Sequence, residues 1–306
     1  MKLLLKIVLV VALERQGFNM YLVTPEKAIT ALEEQVIFPN QDLKPKLGII
    51  VKKQVNKDEQ AYLRSITKQA EKYNATYCID FVSNYHEMAE SIHSFKANRE
   101  IYGIIVLSSL GDISTDRAIC DMIPPRLDID CMSSTTLGLL MTDSSPIAYR
   151  LGPCAPAAAI KILEYENVDL KGKKVAVVGR SLRVGRPLAE MFCKQDATVT
   201  LFHSKSDLTA LYNEKFDVIV SAIGRPKFFT KSDFVNDLND TFLIDIGINV
   251  DEKGHLCGDF DTDSFEDEPL VKITPAPGCI GKLTTTILFA KLFSNAYQVQ
   301  KGDIHV

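Results

Sequence analysis

The residues best arranged for chemistry are those of Val175-Ala-Val-Val-Gly179-Arg180-Ser181-Leu-Arg183-Val-Gly185-Arg186-Pro187. An apolar, β-branched run ends in Gly179. Ser181 follows two residues on, and Gly185, six residues after the first glycine, opens a helical pattern. Strand, tight turn and helix N-terminus in that order bring backbone N–H groups to one point, where a phosphate can sit. An isolated glycine pattern also arises from plain packing, but here the context favours a nucleotide. A second strand ends in Phe202-His203-Ser204-Lys205-Ser206, about twenty residues on, where NAD sites carry an acidic residue for the ribose 2′-hydroxyl. This segment is polar to basic. It therefore favours a 2′-phosphate, and NADP over NAD as the cofactor, with NAD as the alternative. Arg180, Arg183 or Arg186 can supply the guanidinium whose fork matches phosphate oxygens. At least one of the three is expected to be a solvated surface charge.

The elements that must position these residues alternate along the chain. Periodicity predicts helices over 24–36, 58–73 and 85–97, with strands over 47–51, 77–82 and 102–107 between and after them. A helix over 153–166 looks like a link between domains. Beyond it the pattern predicts strands over 174–178, 198–202, 218–222, 242–246 and 272–273, a helix over 186–194 and a last helix over 283–297. Strand–helix alternation of this kind implies an α/β fold with a mostly parallel sheet. With 306 residues, two domains are the reasonable expectation.

Bulk properties narrow the partners. A net charge of −4 gives no reason to expect nucleic acid or an anionic membrane. The seven cysteines are scattered, with no Cys-x-x-Cys pair, so neither a disulfide framework nor a zinc site is signalled. Reduced thiols suit the cytoplasm. Residues 1–13 are basic and then apolar. That run is shorter than the roughly 20 residues needed to span a bilayer, and Lys6 interrupts it. Residues 1–19 are read as an N-terminal extension, which would make the compartment mitochondrial were it a targeting segment.

Taken together, several segments resemble the methylenetetrahydrofolate dehydrogenase/cyclohydrolase family. The cofactor turn resembles Gly179-Arg180-Ser181-x-x-Val184-Gly185-x-Pro187, and the closing motif resembles Ile273-Thr-Pro-Ala-Pro-Gly278-Cys279-Ile-Gly281-Lys282-Leu-Thr284. Between them lie Phe202-His-Ser-Lys205, Ala222-Ile-Gly-Arg-Pro226 and Asp245-Ile-Gly-Ile248-Asn249, and before them Pro153-Cys-Ala-Pro156. The likeness spans about residues 22–298 and is most specific in the C-terminal half. It implies an N-terminal βαβ catalytic domain plus a C-terminal Rossmann-type dinucleotide-binding domain, with the last helix returning to the N-terminal domain. The boundaries implied are 20–152 with 283–306 for the folate-binding domain and 153–282 for the NAD(P)-binding domain. By the same resemblance, tetrahydrofolate derivatives bind in a cleft between the domains, the protein is a homodimer, and Gly179, Arg180, Ser181, Gly185, Ser204, Ala222, Ile248 and Thr284 line the cofactor side.

The catalytic half departs from the family pattern. The family's Tyr-x-x-x-Lys reads Tyr62-Leu-Arg-Ser-Ile66 here, so isoleucine stands in the lysine's place. Lys68 lies about 200° round the helix from it at 3.6 residues per turn and should not substitute. Gln-Leu-Pro-Leu reads Leu107-Ser-Ser-Leu110, and Asp-Val-Asp-Gly reads Asp128-Ile-Asp130-Cys131. Asp130 survives and by resemblance holds the pterin ring. The candidate catalytic positions are therefore Tyr62, Ile66 and Asp130, with no metal. Hydride loss from the folate methylene is assisted by the substrate's own nitrogen lone pairs, so positioning suffices. Hydrolysis of the methenyl cation needs protons moved and oxyanion character stabilised. The expectation is NADP-dependent oxidation of 5,10-methylenetetrahydrofolate with the cyclohydrolase weak or lost. The alternative is a non-catalytic or repurposed paralogue that binds nucleotide or folate.

Blander readings stand beside these. Tyr62 alone suits a core aromatic, and Asp130 a loop cap. Cys131 and Cys279, at glycine positions of the family, read as small apolar fillers. His203 reads as a local hydrogen-bonding group. The acidic run 259–268 reads as a solvated loop without metal-ligand spacing.

Overall fold

A computed structural model of the chain describes residues 20–109, 111–142 and 152–302. The N-terminal extension and Leu110 lie outside the described residues. The described chain divides into two compact units.

Of the described residues, one unit comprises 20–24, Leu170–Arg180 and Gln195–Cys279. Its sheet contains β1 (Tyr21–Leu22), β5 (Lys174–Val178), β6 (Thr198–Phe202), β7 (Val218–Ser221), β8 (Phe242–Asp245) and β11 (Lys272–Ile273). The strand order is β1-β11-β8-β7-β5-β6, and every pairing is parallel. A parallel sheet is buried on both faces, so its strands run apolar without alternation. All residues of β7 and β8 and Val175–Val178 of β5 are buried. Phe202, Phe229, Phe260 and Phe265 pack with Ile219, Leu243 and Ile273 to form the core on this sheet. A short antiparallel pair, β9 (Asn249–Val250) with β10 (Leu256–Cys257), follows the sheet.

The other unit comprises Pro25–Asp169, Ser181–Lys194 and Ile280 onward. Its sheet has three parallel strands in the order β3-β2-β4: β2 (Lys46–Lys52), β3 (Thr76–Val82) and β4 (Ile101–Val106). Its helices are α1 (Glu26–Leu32), α2 (Lys57–Tyr73), α3 (Tyr85–Ala97), α4 (Ile113–Asp121), α5 (Ser134–Thr142), α6 (Cys154–Tyr165), α7 (Gly185–Cys193) and α9 (Ile280–Lys301). A one-turn helix, α8 (Thr209–Asn213), belongs to the first unit. Helix α2 starts where Asn56 and Glu59 form a reciprocal cap: Glu59 N–H donates to Asn56 Oδ1 at 2.8 Å, and Asn56 N–H donates to Glu59 Oε2 at 3.1 Å. The last helix packs on α6 and α2 of this unit, with Ser65 Oγ and Thr285 Oγ1 3.1 Å apart.

The described elements follow the periodicity closely, with some differences. The helix expected over 24–36 is α1 followed by a π-helical turn at Glu33–Ile37 and a 3₁₀ turn at Phe38–Leu43. The last helix is longer than 283–297 at both ends. Helices α4 and α5 and strand β1 were not expected.

Candidate active site

In the unit on the six-stranded sheet, the strand ends are shaped by main-chain geometry. The Gly179 N–H donates to Phe202 O at 2.9 Å, joining the ends of β5 and β6. Gly179 has φ +122°, and a Cβ there would lie 2.4 Å from the Ala222 carbonyl oxygen. Only glycine fits both that conformation and that approach. After β6, Lys205 N–H donates to His203 Nδ1 at 3.1 Å and His203 N–H donates to Ser206 Oγ at 3.0 Å. His203 thus shapes the turn, while Ser204 and Lys205 are exposed. The next carboxylate, Asp207, is taken by Thr209, whose hydroxyl and N–H donate to it at 2.6 and 2.9 Å. Those hydrogen bonds hold its carboxyl below the usual range. Segment 203–206 therefore presents a hydroxyl and an ammonium and no carboxylate, which fits a phosphorylated ribose.

Two buried carboxylates organise the loops after β7 and β8. Asp259 accepts from Ser221 Oγ (2.7 Å), Ile223 N–H (2.9 Å), Arg225 N–H (2.8 Å) and Asn249 Nδ2 (2.9 Å). Asp245 accepts from the N–H groups of Gly247, Asp259 and Phe260 at 3.0, 3.1 and 2.9 Å. Burial pushes the Asp245 carboxyl up to about 7 against the downward pull of those N–H groups. A Cβ on Gly247 would stand 2.2 Å from Asp259 Oδ1, so this loop can close on the carboxylate only through glycine. Ala222 and the exposed Ile248 are carried on the two loops that Asp259 holds. This corrects the reading of 259–268 as a solvated loop: Asp259, Phe260 and Phe265 are buried. The signal lay in Cys257-Gly258-Asp259-Phe260, where one acid sits among small and apolar residues rather than in a charge run.

Of the remaining cofactor-side candidates, Arg180 ends the segment Leu170–Arg180 of the same unit, and Ser181, Gly185 and Thr284 belong to the other. Ser181 Oγ accepts from Val184 N–H at 3.1 Å, and Ser181 O accepts from Arg186 N–H at 3.1 Å, which starts α7 at the buried Gly185. Thr284 Oγ1 donates to Ile280 O in its own helix at 2.8 Å. Arg180 and Arg186 are exposed. Arg183, one of the three arginines offered for the phosphate, is exposed and donates to Val106 O at 3.2 Å, at the end of β4.

The folate-side candidates cluster in this unit as well. Tyr62, on α2, is half-buried as a residue. Its hydroxyl is pushed well above the ordinary phenol value, first by desolvation and then by the charges of Asp130 and Cys154, with Arg183 pulling the other way. Asp130, Cys154 and Arg183 are thus each within electrostatic reach of Tyr62. Asp130 Oδ1 accepts from Cys154 N–H at 3.1 Å. Its neighbour Asp128 is a structural acid that accepts from Met132 N–H (3.0 Å), Ser133 N–H (2.7 Å) and Thr136 Oγ1 (2.5 Å) to start α5. Ile66 is fully buried, whereas Lys68 points to solvent. Leu107 is 7% exposed. The sequence reading passed over one further charge: Lys291, a lysine inside the apolar run of α9, is buried against Ile129 and Cys131.

A glycine-turn parallel sheet, together with a βα unit completed by the last helix, defines a two-domain, dinucleotide-binding α/β protein. Residues 153–300 match the family described as tetrahydrofolate dehydrogenase/cyclohydrolase, NAD(P)-binding domain. The chain is 36% identical over 257 residues to the bifunctional protein FolD of Clostridium botulinum, covering 82% of this chain and 88% of that protein. It is 35% identical over 250 residues to FolD of Streptococcus thermophilus, covering 81% and 85%. The chain belongs to the tetrahydrofolate dehydrogenase/cyclohydrolase family. Among solved structures it resembles the bifunctional FolD enzyme of Campylobacter jejuni, with a TM-score of 0.80 at 25% identity over 92% of this chain and 99% of that one. It also resembles the dehydrogenase/cyclohydrolase of Thermoplasma acidophilum, with a TM-score of 0.76 at 26% identity over 90% and 96%. Among the described residues no helix is long and apolar enough to cross a membrane.

Proposed function

We propose that this chain oxidises 5,10-methylenetetrahydrofolate to 5,10-methenyltetrahydrofolate with NADP, and that the cyclohydrolase step is weak or lost. The observation that carries this split is Ile66, a fully buried hydrocarbon at the lysine position of the family motif. A bound nicotinamide would supply the acceptor for the hydride that the folate nitrogen lone pairs help to expel. The chain must then bind, orient and exclude water, and its residues suit those tasks. Asp130, with Oδ1 fixed by Cys154, keeps Oδ2 for a pterin N–H. Tyr62 stays a neutral phenol beside it. Neither Ile66 nor Leu107 can move a proton or stabilise an oxyanion.

The choice of NADP over NAD rests on Ser204, Lys205 and Arg180, which are exposed, and on the engaged Asp207. Residues 20–152 with 283–306 form the folate domain in this reading, and 153–282 the cofactor domain. The seven free thiols suit the cytoplasm. A homodimer is expected. The edge strand β3, with Tyr77 and Phe81 exposed, is the face suited to a second copy.

The test is to supply methylenetetrahydrofolate with NADP and, separately, with NAD, following reduced nicotinamide, and then to supply methenyltetrahydrofolate and follow its decay. Reduced NADP without accelerated methenyl decay is expected, and Ile66→Lys should raise the decay. No reduced nicotinamide with either cofactor, while folate binds, overturns the dehydrogenase in favour of a binding paralogue. An Ile66→Lys protein unchanged in both reactions overturns the role given to that position.

A further inference from the structure

We propose that Lys291 is a positioning residue for Asp130: its buried ammonium ties the loop carrying Asp130 to the segment that opens α6, and so fixes the carboxylate's direction. The inference rests on the proposed folate-holding role of Asp130 and deepens it.

Lys291 is out of place by composition. On α9 it is surrounded in sequence by Ile287, Leu288, Phe289, Ala290, Leu292 and Phe293, all buried, and it is itself 3% exposed. Among the described residues no carboxylate reaches ion-pairing distance of its Nζ. The ammonium is spent on main chain instead. It donates to Ile129 O at 3.0 Å and to Gly152 O, and it lies 3.9 Å from Cys131 Sγ. Ile129 and Cys131 are the residues on either side of Asp130. Gly152 lies two residues before Cys154, whose N–H holds Asp130 Oδ1 at 3.1 Å. One side chain thus grips both segments that meet at the carboxylate.

Cys131 adds a second observation. It has φ +53°, in the left-handed region that a β-carbon disfavours. A residue held there needs support from its surroundings, and its thiol faces the Lys291 ammonium. Cys131 is therefore more than the small filler the sequence suggested. Charge balance is consistent with the tie. Burial pulls the Lys291 pKa down, yet Cys131, Cys154, Asp130 and Asp128 together hold it above the ordinary value. Burial pushes both thiols up. If packing were the only demand, an apolar chain of similar length would serve at least as well as a buried charge.

The experiment uses the full chain with Lys291→Met and, should that variant fail to fold, Lys291→Gln. Two quantities are read: hydrogen exchange at the Cys154 amide, and the Kd for tetrahydrofolate and for NADP, each alone and in an Asp130→Asn background. In Lys291→Met the Cys154 amide is expected to exchange about tenfold faster, and the tetrahydrofolate Kd to rise about tenfold, with the NADP Kd within about twofold of wild type. On Asp130→Asn the Lys291 change should add nothing to the folate loss, because residues acting through one another are not additive. Unchanged Cys154 exchange, additive folate losses, or an equal loss of NADP affinity would each overturn the proposal. A wild-type protein that binds tetrahydrofolate but never reduces NADP refutes the dehydrogenase reading and leaves the Lys291 result standing. If it binds no folate, the Cys154 exchange alone decides the tie.

Discussion

The two units solve one problem with opposite charges. In the sheet unit, Asp259 gathers two backbone N–H groups, a hydroxyl and an amide. In the other, Lys291 gathers two backbone carbonyls. Each is buried, and each pins two loops that carry candidate binding residues. The sign of the charge follows from which end of the peptide faces inward. Turns leaving parallel strands present N–H groups and take an acid, whereas the 129–131 loop and the entry to α6 present carbonyls and take a base. A nucleotide turn built from glycine and main chain is indifferent to many side-chain changes. A proton-handling site depends on particular side chains, and in the function proposed above Ile66 is the position where that dependence is tested.

The largest effect should come from removing the acid clamp. Asp259→Ala leaves four donors without their acceptor, two of them buried, and is expected to destabilise the protein by about 4 kcal/mol in urea titration. A loss below about 1 kcal/mol would mean that water replaces the carboxylate and that the clamp is not structural. Next, Gly179→Ala places a methyl against Ala222 O in a left-handed backbone. A penalty of about 2 kcal/mol is expected, seen as a roughly thirtyfold rise in the NADP Kd with folate affinity unchanged. Third, the acid unit should be sensitive to pH. Asp245 has a folded pKa raised to about 7 from 3.8, so its contribution is full below about pH 4 and lost as pH rises through 7. Unfolding free energy should therefore fall by about 2.6 kcal/mol between pH 5 and 8, with a flatter profile in Asp245→Asn. A wild-type profile that rises over that interval would place the proton elsewhere. The smallest effect concerns Arg183. Arg183→Leu should lower dehydrogenase kcat about fivefold and leave the NADP KM alone, because an exposed charge is strongly screened. A rise in the NADP KM instead would return this arginine to the phosphate.

Much of the fold was legible because its strands are apolar and its helices periodic. Strands β5 and β6 fall where the β-branched runs lie, and α3 matches its predicted span. Helix α5 was not legible because Ser134–Thr142 is apolar on most sides and has no 3.6-residue stripe. Its start depends on Asp128, six residues away in sequence. Strand β1 is two residues long and exists only through its pairing with β11, about 250 residues along the chain. The glycine turn at Gly179 was legible because local geometry demands the residue. Asp259 and Lys291 were not, since a buried charge is defined by partners that only the folded chain assembles.

Strand β1 has a practical consequence. Tyr21 and Leu22 close the edge of a sheet whose other strands begin at Lys174. No single continuous span that omits the intervening sequence contains this unit whole. A recombinant fragment starting near Leu170 would bare the β11 edge and lay open the Ile273 row beside it. Such a fragment invites strand exchange or self-association unless the Tyr21–Leu22 peptide is supplied in trans or grafted on through a linker.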